Sequence, residues 1–548
     1  MIIPPLKRSF CVATCVVTLF ISAITSVADA KSLRYGTQDE PQTLDPHAAN
    51  LAVTNRLLSN VYEGLVGRDK NYQLVPWLAT SWTAPDGRSG NNNWRFILRP
   101  NVKFHDGSIL TADDVVFSVQ RAMHPLSQHK IAVQGVAHAR KVDDLTVDLL
   151  MREPNPVLPN HLIQLRIMNK AWAIKHRAES PQNYKDKEDT YVSRNANGTG
   201  PFMVKERQTD VRTVLAAFPE WWNKNSPEKG NLTQVVLLPI KSNPTRLAAL
   251  ISNEVQFVND PPPQDIPRLK ASGQVKVVEG LESRVQYLVF DMRRDELLYS
   301  NIKGKNPWKD IRVRQAVAHA IDANAIKTKV MRNLAVLTGT IITDQDQGYS
   351  KDADTRLLYD PARAKKLLAE AGYPDGFAVT LDCGANQPAA DICQAVGPML
   401  ARVGIRASPN IMQTALLFPK LQKFDTSFYL LSWSTPTGDA LYTLQSLLRT
   451  PSKLNASGDP DTSSGDNNFG QYSNKVFDDL VDRFKVENDL KKRDAIIRDA
   501  LLLINRELPI VTLHKPIIPW AMSARAGNEV SAVLPPNGVP YFFRFISK

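Results

Sequence analysis

The side chains able to do covalent or metal chemistry are few and dispersed, nine histidines and four cysteines in 548 residues. A zinc protease needs two histidines a helical turn apart around a glutamate, a serine hydrolase needs a nucleophile on a glycine-framed turn, and a dithiol oxidoreductase needs two closely spaced cysteines. No His-Glu-x-x-His, Gly-x-Ser-x-Gly or Cys-x-x-Cys is present. His124 and His129 lie close together but lack a third ligand, which is the pattern of surface histidines. The stretch Asp459 to Asp466 resembles a calcium loop, yet Gly465 falls one place late and Gly470 stands where the closing glutamate belongs, so a solvated loop is expected. Asn197-Gly198-Thr199-Gly200-Pro201-Phe202 lacks the Lys-Ser/Thr and the helix start of a phosphate cradle and reads as a plain loop. Asn197-Gly198-Thr199 and Asn231-Leu232-Thr233 fit the glycosylation triplet, which arises often by chance and carries no weight. On this census no catalysis, no metal and no cofactor are expected.

The N-terminus says where the chain works. Lys7 and Arg8 precede an apolar run from Phe10 to Ile24, and Ala28-Asp29-Ala30 supplies the small-x-small pattern of a signal peptidase site. Residues 1–30 therefore read as a signal peptide cleaved after Ala30. The run is shorter than the ~20 residues that span a bilayer, and no second span follows it. Cys11 and Cys15 lack the Leu-small-small context of lipid attachment and depart with the signal, leaving Cys383 and Cys393 as the only thiols. In an exported chain two cysteines point to one disulfide, with two buried thiols as the alternative. Cys383 follows the strand-like Phe377 to Leu381 and Cys393 stands where the next helix should begin, so a bridge would close a short strand-to-helix loop.

Composition narrows the class further. With 22% charged residues, 43% hydrophobic residues and a mean hydropathy of -0.26, the chain is built for water and is no polytopic membrane protein. The net charge of +12 is spread without any block of five or six like charges, so no nucleic-acid groove is expected. Single cores stop growing near ~250–300 residues, so this chain needs more than one.

Local patterns then place the elements. Ser32 to Gly36 alternates as a strand, Leu44-Asp45-Pro46-His47 is a turn, and a helix is expected from Thr54 to Tyr62. In Trp94 to Arg99 the residues Trp94, Phe96 and Leu98 share one face of a half-buried strand, and Val102 to Phe104 is expected to be a second strand. Thr111 with Asp114 opens a helix as a capping box. Pro261-Pro262-Pro263 reads as an extended, exposed connection. Asp310 caps a helix whose Val313, Ala316, Val317, Ala320 and Ile321 fall on one face. Asp360 caps another, with Pro361 in its first position, Gly372 at its end and Pro374 beyond.

In order and spacing, Leu44-Asp45-Pro46-His47, Pro76-Trp77-Leu78-Ala79, Phe104-His105-Asp106-Gly107, Thr111 to Val115, Asn197 to Phe202, Val313-Arg314-Gln315-Ala316, Asp360 to Phe377, Gln471 to Asn474 and Pro509-Ile510-Val511 resemble one family. It is the family 5 extracellular solute-binding proteins, the peptide- and nickel-type receptors of bacterial ABC importers. The resemblance implies an α/β, two-lobed periplasmic binding protein with an extra subdomain inserted in the first lobe. Residues 31–64, 198–294 and 513–548 would form lobe I, 65–197 the inserted subdomain and 295–512 lobe II. A monomer in the periplasm, it would capture a peptide or other small solute between its lobes and pass it to a permease and ATPase at the inner membrane.

The resemblance also nominates a cleft. In peptide-binding relatives an acid three residues after a lobe II tryptophan holds the ligand's amino group, whereas here Trp433 is followed by Pro436, and the acid on offer is Asp439. The arginine often found between the two cysteines is also missing from Gly384 to Ile392. Trp433 is expected to offer a flat wall, Gly438 a close backbone approach and Asp439 a carboxylate for a ligand cation, with Tyr35 and the Asn50-Leu51-Ala52 turn facing them from the first lobe. The alternatives are that Trp433 is core and that Asp439 caps the helix through Leu441 to Leu448. Against the receptor stand two other functions, an envelope scaffold or chaperone on the same fold and, with no motif to support it, a secreted hydrolase.

Overall fold

The strand Ile510–Ser523, fourteen residues and mostly buried, belongs to two groups of strands at once. Its first part, Ile510–His514, pairs antiparallel with Arg284–Phe290, and Ile517–Ser523 pairs antiparallel with Val275–Leu281. The structure, a computed structural model, describes residues 32–547 apart from 70–72, 86–92, 153, 185, 187, 226–231, 387, 436, 452–463, 525–529 and 533–544. The expected signal peptide, most of the Asp459 to Asp466 loop and Pro436 lie outside the described residues.

On one side of the shared strand lie Phe257–Asn259, Ser32–Thr37, Gln234–Pro239, Arg212–Ala217 and Phe202–Gln208, in that order, with Ser32–Thr37 parallel to both neighbours. On the other side Arg284–Phe290 pairs antiparallel with Phe428–Ser434, and Phe377–Gly384 and Ile405–Met412 follow in parallel. Each side buries its own apolar residues. Leu33, Tyr35, Leu58, Phe257 and Trp520 pack together on the first, and Phe290, Trp308, Phe377 and Phe428 on the second. The Trp308 ring lies 4.9 to 5.2 Å from the other three rings of that group, a dense block in which truncation to alanine costs ~3–5 kcal/mol. A third core lies within the four-stranded antiparallel sheet of Ala79–Thr83, Asn93–Leu98, Thr146–Met151 and Val136–Asp143, where Trp94, Phe96 and Leu98 point inward beside Val115 and Val119 of the helix Ala112–Met123.

The local chemistry follows the sequence closely at the helix ends. Thr111 and Asp114 form the capping box, Asp310 accepts from the Arg312 amide, and Asp360 accepts from the Arg363 amide with Pro361 in the first turn. Gly372, at φ +88, ends the last of these as only glycine does without strain. Cys383 and Cys393 are bonded, linking the end of Phe377–Gly384 to the helix Ala389–Ala401.

Several expectations are corrected. The first helix is Ala52–Leu58 rather than Thr54 to Tyr62, and Val102 to Phe104 contributes only one bridge, Lys103 to Ile109, because Phe104 and Gly107 close a tight turn. Pro261 and Pro262 are buried, and Pro263 opens a short 3-10 turn. His129 is no surface residue, since its ring is buried edge-on to His47 and its Nε2 sits 3.3 Å from the Ala49 carbonyl. The chain passes between the two sides at Glu282–Ser283, and Leu288 and Phe290 beyond it pack with Phe377 and Phe428.

The glycine loop is a seam rather than a ligand cradle. A side chain at Gly198 would stand 2.0 Å from the Val61 carbonyl oxygen, so the loop lies flush against the first lobe. Asn197 exchanges hydrogen bonds with Asp106, and Thr199 donates to Glu63 at 2.9 Å. Glu63 also accepts the indole N–H groups of Trp77, Trp221 and Trp222 at 2.8, 3.1 and 2.9 Å, a buried carboxylate held by four donors. Burial raises its pKa even so, against the pull of those donors.

Candidate functional site

Polar groups from both sides meet where the chain crosses. The register Arg284 to Ser434 ends the pairing of Arg284–Phe290 with Phe428–Ser434, and the amide of Thr435 then bonds the Ser283 carbonyl at 3.3 Å. Beyond it Gly438, at φ +63, turns the chain, its carbonyl accepting from the Gln347 amide at 2.9 Å. The turn leaves the Thr437 carbonyl pointing across, where Arg68 of the Val66–Arg68 strand donates to it from Nη2 at 3.0 Å. Asp346 lies beneath this contact, its Oδ2 accepting from the Thr343 amide at 2.7 Å and its Oδ1 from the Ser283 hydroxyl at 3.1 Å. Burial pushes the Asp346 carboxyl up to about 6, the Thr343 and Ser283 hydrogen bonds and Arg68 opposing it.

The first-lobe face has its own charged set. The Tyr35 hydroxyl donates to Asn259 Oδ1 at 2.8 Å, Asn259 Nδ2 donates to Asp260 Oδ2 at 2.6 Å, and Arg56 Nη2 reaches the same oxygen at 2.9 Å. Asp260 takes φ +48 to turn toward them. Tyr35, Arg56, Asn259 and Asp260, with Thr37 and Asp39, line a cavity of about 60 Å³. Burial raises the Tyr35 hydroxyl pKa well above its usual value. Glu282, at the crossing itself, is buried, bonded to Arg284 at 2.8 Å and raised in pKa by burial.

Of the expected ligand residues, Trp433 is half-buried. Its ring stacks on Tyr442 at 5.3 Å and its Nε1 donates to Thr443 at 3.0 Å. Gly438 makes the turn that Arg68 meets. Asn50 is exposed in the segment before the first helix, its side-chain oxygen accepting from Asn55 at 2.8 Å. Tyr35 is 3% exposed and packs edge-on against Phe257, so only its hydroxyl end borders the cavity.

Asp439 departs from expectation. Its carboxylate is fully buried and bonded to Arg493 through two 2.8 Å contacts, while Oδ1 also accepts the Leu441 amide at 2.8 Å. It caps the helix Ala440–Leu447 and neutralises a core arginine, so it presents no charge to a ligand. The reason is positional, because the residue entering a helix that packs on Leu490–Glu507 points into that packing. Next to this pair stands His161 of the inserted subdomain. Its ring is fully buried, its two nitrogens have no hydrogen-bond partner among the described residues, and burial holds its pKa down to about 4, opposed by Asp439 and aided by Arg493. Val157 likewise packs in the second-lobe core, so the subdomain and the second lobe touch here.

Arg68, Ser283 and Asp346 escaped sequence reading because they come together only where the chain crosses, and Arg56 and Asp260 because their pairing within the first lobe joins residues 204 positions apart. The polar Asn259-Asp260 pair before three prolines was the one local signal. The arrangement can bind and orient a polar solute with backbone carbonyls, guanidinium groups and a ring face. Among the described residues no group of three or more His, Cys, Asp or Glu side chains is placed to hold a metal ion.

Two lobes with separate cores, joined by extended crossings and lined with polar groups where they meet, define a two-lobed solute-binding protein. Residues 73–455 match the bacterial extracellular solute-binding proteins, family 5, and the chain belongs to that family. It is 25% identical over 543 residues to a dipeptide-binding protein of Escherichia coli K12, covering 91% of this chain and 92% of that one. A glutathione-binding protein of Salmonella paratyphi A is 27% identical over 511 residues, covering 91% of each. The periplasmic binding protein DppA of Helicobacter pylori, solved in complex with the peptide STSA, superposes with a TM-score of 0.75 at 21% identity, covering 95% of this chain and 99% of that one.

Proposed function

We propose that the protein captures a small peptide-like solute between its lobes in the periplasm and delivers it to an ABC permease and its ATPase, without chemical turnover. The contact that carries this reading is Arg68 to the Thr437 carbonyl, since it joins the two lobes through a group that a ligand's own polar atoms can replace. Closure of such lobes expels water, which strengthens each polar contact to the ligand. The relatives that bind a dipeptide and glutathione support a peptide-like ligand. Because Arg493 occupies Asp439, a ligand entering here meets the Trp433 ring, the Thr437 carbonyl, Arg68 and the Arg56–Asp260 pair rather than a free carboxylate at 439. Native mass spectrometry of gently purified protein tests the proposal. A co-purified peptide-like molecule, rebound by the stripped protein with quenching of tryptophan fluorescence, is the expected result. A stripped protein that binds neither that molecule nor any peptide, or that hydrolyses what it binds, would overturn it.

A further inference from the structure

Away from the cleft, the second lobe contains a cavity of about 110 Å³ between the helix Ile311–Ala320, the end of the helix Leu490–Glu507 and the start of the shared strand. Leu501, Ile504 and Ile341, all nearly fully buried, supply its apolar wall. Its polar lining is unbalanced. Thr340 is 2% exposed, and its hydroxyl has no hydrogen-bond partner among the described residues. Arg356 binds the Thr338, Thr512 and Leu513 carbonyls through Nη1 alone, and no carboxylate pairs with it among the described residues. The nearest candidate, Asp354, is already taken by the Thr338 hydroxyl, the Gly339 amide and the Tyr349 hydroxyl. The carbonyls at the adjoining helix end, Glu507 and Leu508, are bonded by Arg314, so they do not balance Arg356 either. Burial brings the Arg356 pKa down to about 10, with Asp354 opposing it.

A half-buried cation and an unpartnered hydroxyl beside an aliphatic wall are complementary to a carboxylate carrying a short apolar tail. We propose that this cavity binds a short aliphatic monocarboxylate, its charge on Arg356, one oxygen accepting from Thr340 and its tail against Leu501 and Ile504. The size agrees, since an engineered cavity of ~150 Å³ accepts benzene and this one is somewhat smaller. Arg356 also grips the Thr512 and Leu513 carbonyls of the shared strand, so an occupant would be felt at the lobe crossing.

The test uses the mature protein and n-butyrate as probe, followed by saturation-transfer NMR and calorimetry. One saturable site is expected. Thr340→Val should keep the wild-type unfolding midpoint, because the hydroxyl bonds nothing among the described residues, and weaken butyrate about tenfold, the value of one hydrogen bond to a charged group. Arg356→Gln should abolish binding, and n-butyramide should bind far more weakly than butyrate. Equal binding of butyrate and butyramide, unchanged butyrate affinity in a folded Thr340→Val protein, or no saturable binding to the wild type would each overturn the proposal.

Discussion

Asp439→Asn replaces one member of a charge pair in which both side chains are 0% exposed. Asparagine caps a helix as well as aspartate does, so the bond to the Leu441 amide survives and the cap contributes nothing to the difference. What changes is Arg493. It loses the opposing charge and the 2.8 Å bond from Nη1 to Oδ2, where asparagine presents a donor, and keeps one neutral bond from Nη2 to the remaining oxygen and the Phe484 carbonyl 3.1 Å from Nε, beneath the ring of Phe484. Leaving a buried charge without its partner costs ~3–5 kcal/mol, whereas breaking an exposed pair costs under ~1 kcal/mol. Lys475–Asp479 is an exposed pair on the same lobe, at 87% and 57% side-chain exposure, so Asp479→Asn serves as the control. Urea unfolding followed by circular dichroism should show Asp439→Asn destabilised by ~3–5 kcal/mol and Asp479→Asn close to wild type. The double change Asp439→Asn with Arg493→Met, which removes both charges, should recover much of the loss. An Asp439→Asn protein of wild-type stability that has lost its ligand would refute this reasoning and return Asp439 to the binding site.

Acid should loosen the fold between about pH 6.5 and pH 4. His161 has a pKa near 4 when folded against about 6.5 unfolded, so its contribution is intact above the upper value and is lost as pH falls toward the lower one. Replacing it in His161→Phe should raise stability by ~2 kcal/mol at about pH 5 and change little at about pH 8; an unaltered pH profile would show that other groups govern acid unfolding. Glu63→Gln turns an amide N–H toward donors that Glu63 now accepts, and a loss of ~2–4 kcal/mol is expected in thermal or urea unfolding. The Cys383–Cys393 bridge closes a short loop and should contribute ~2–3 kcal/mol, read as the change in unfolding midpoint on reduction, with unreduced peptide mapping to confirm the link. Intact mass of the periplasmic protein should place its N-terminus at Lys31; retention of residues 1–30 would contradict cleavage after Ala30.

Sequence by itself determined what local chemistry controls. The caps at Thr111, Asp310 and Asp360 and the inward face of Trp94, Phe96 and Leu98 were legible because each depends on residues within a turn or a strand of one another. The ordered motifs were enough to place the chain in its family, and Cys383 and Cys393 are the only cysteines after residue 30, which left them one mutual pairing. Tertiary structure decided what distant residues do to each other. Asp439 was expected to be a ligand group by resemblance or a cap from its neighbours, and only the helix Leu490–Glu507, bringing Arg493 from 54 residues away, turned it into half of a buried ion pair. Nothing near His129 announced burial, because its cover comes from Ala49 and His47 in another segment. Arg68 and Thr437 are 369 residues apart and meet only in the folded chain, which passes between the lobes at Glu282–Ser283 and returns along Ile510–Ser523. Local signals report dihedral preference and burial pattern, whereas a cleft is made by chain crossing, and its charges acquire partners, and with them their pKa values and roles, only when the crossing closes.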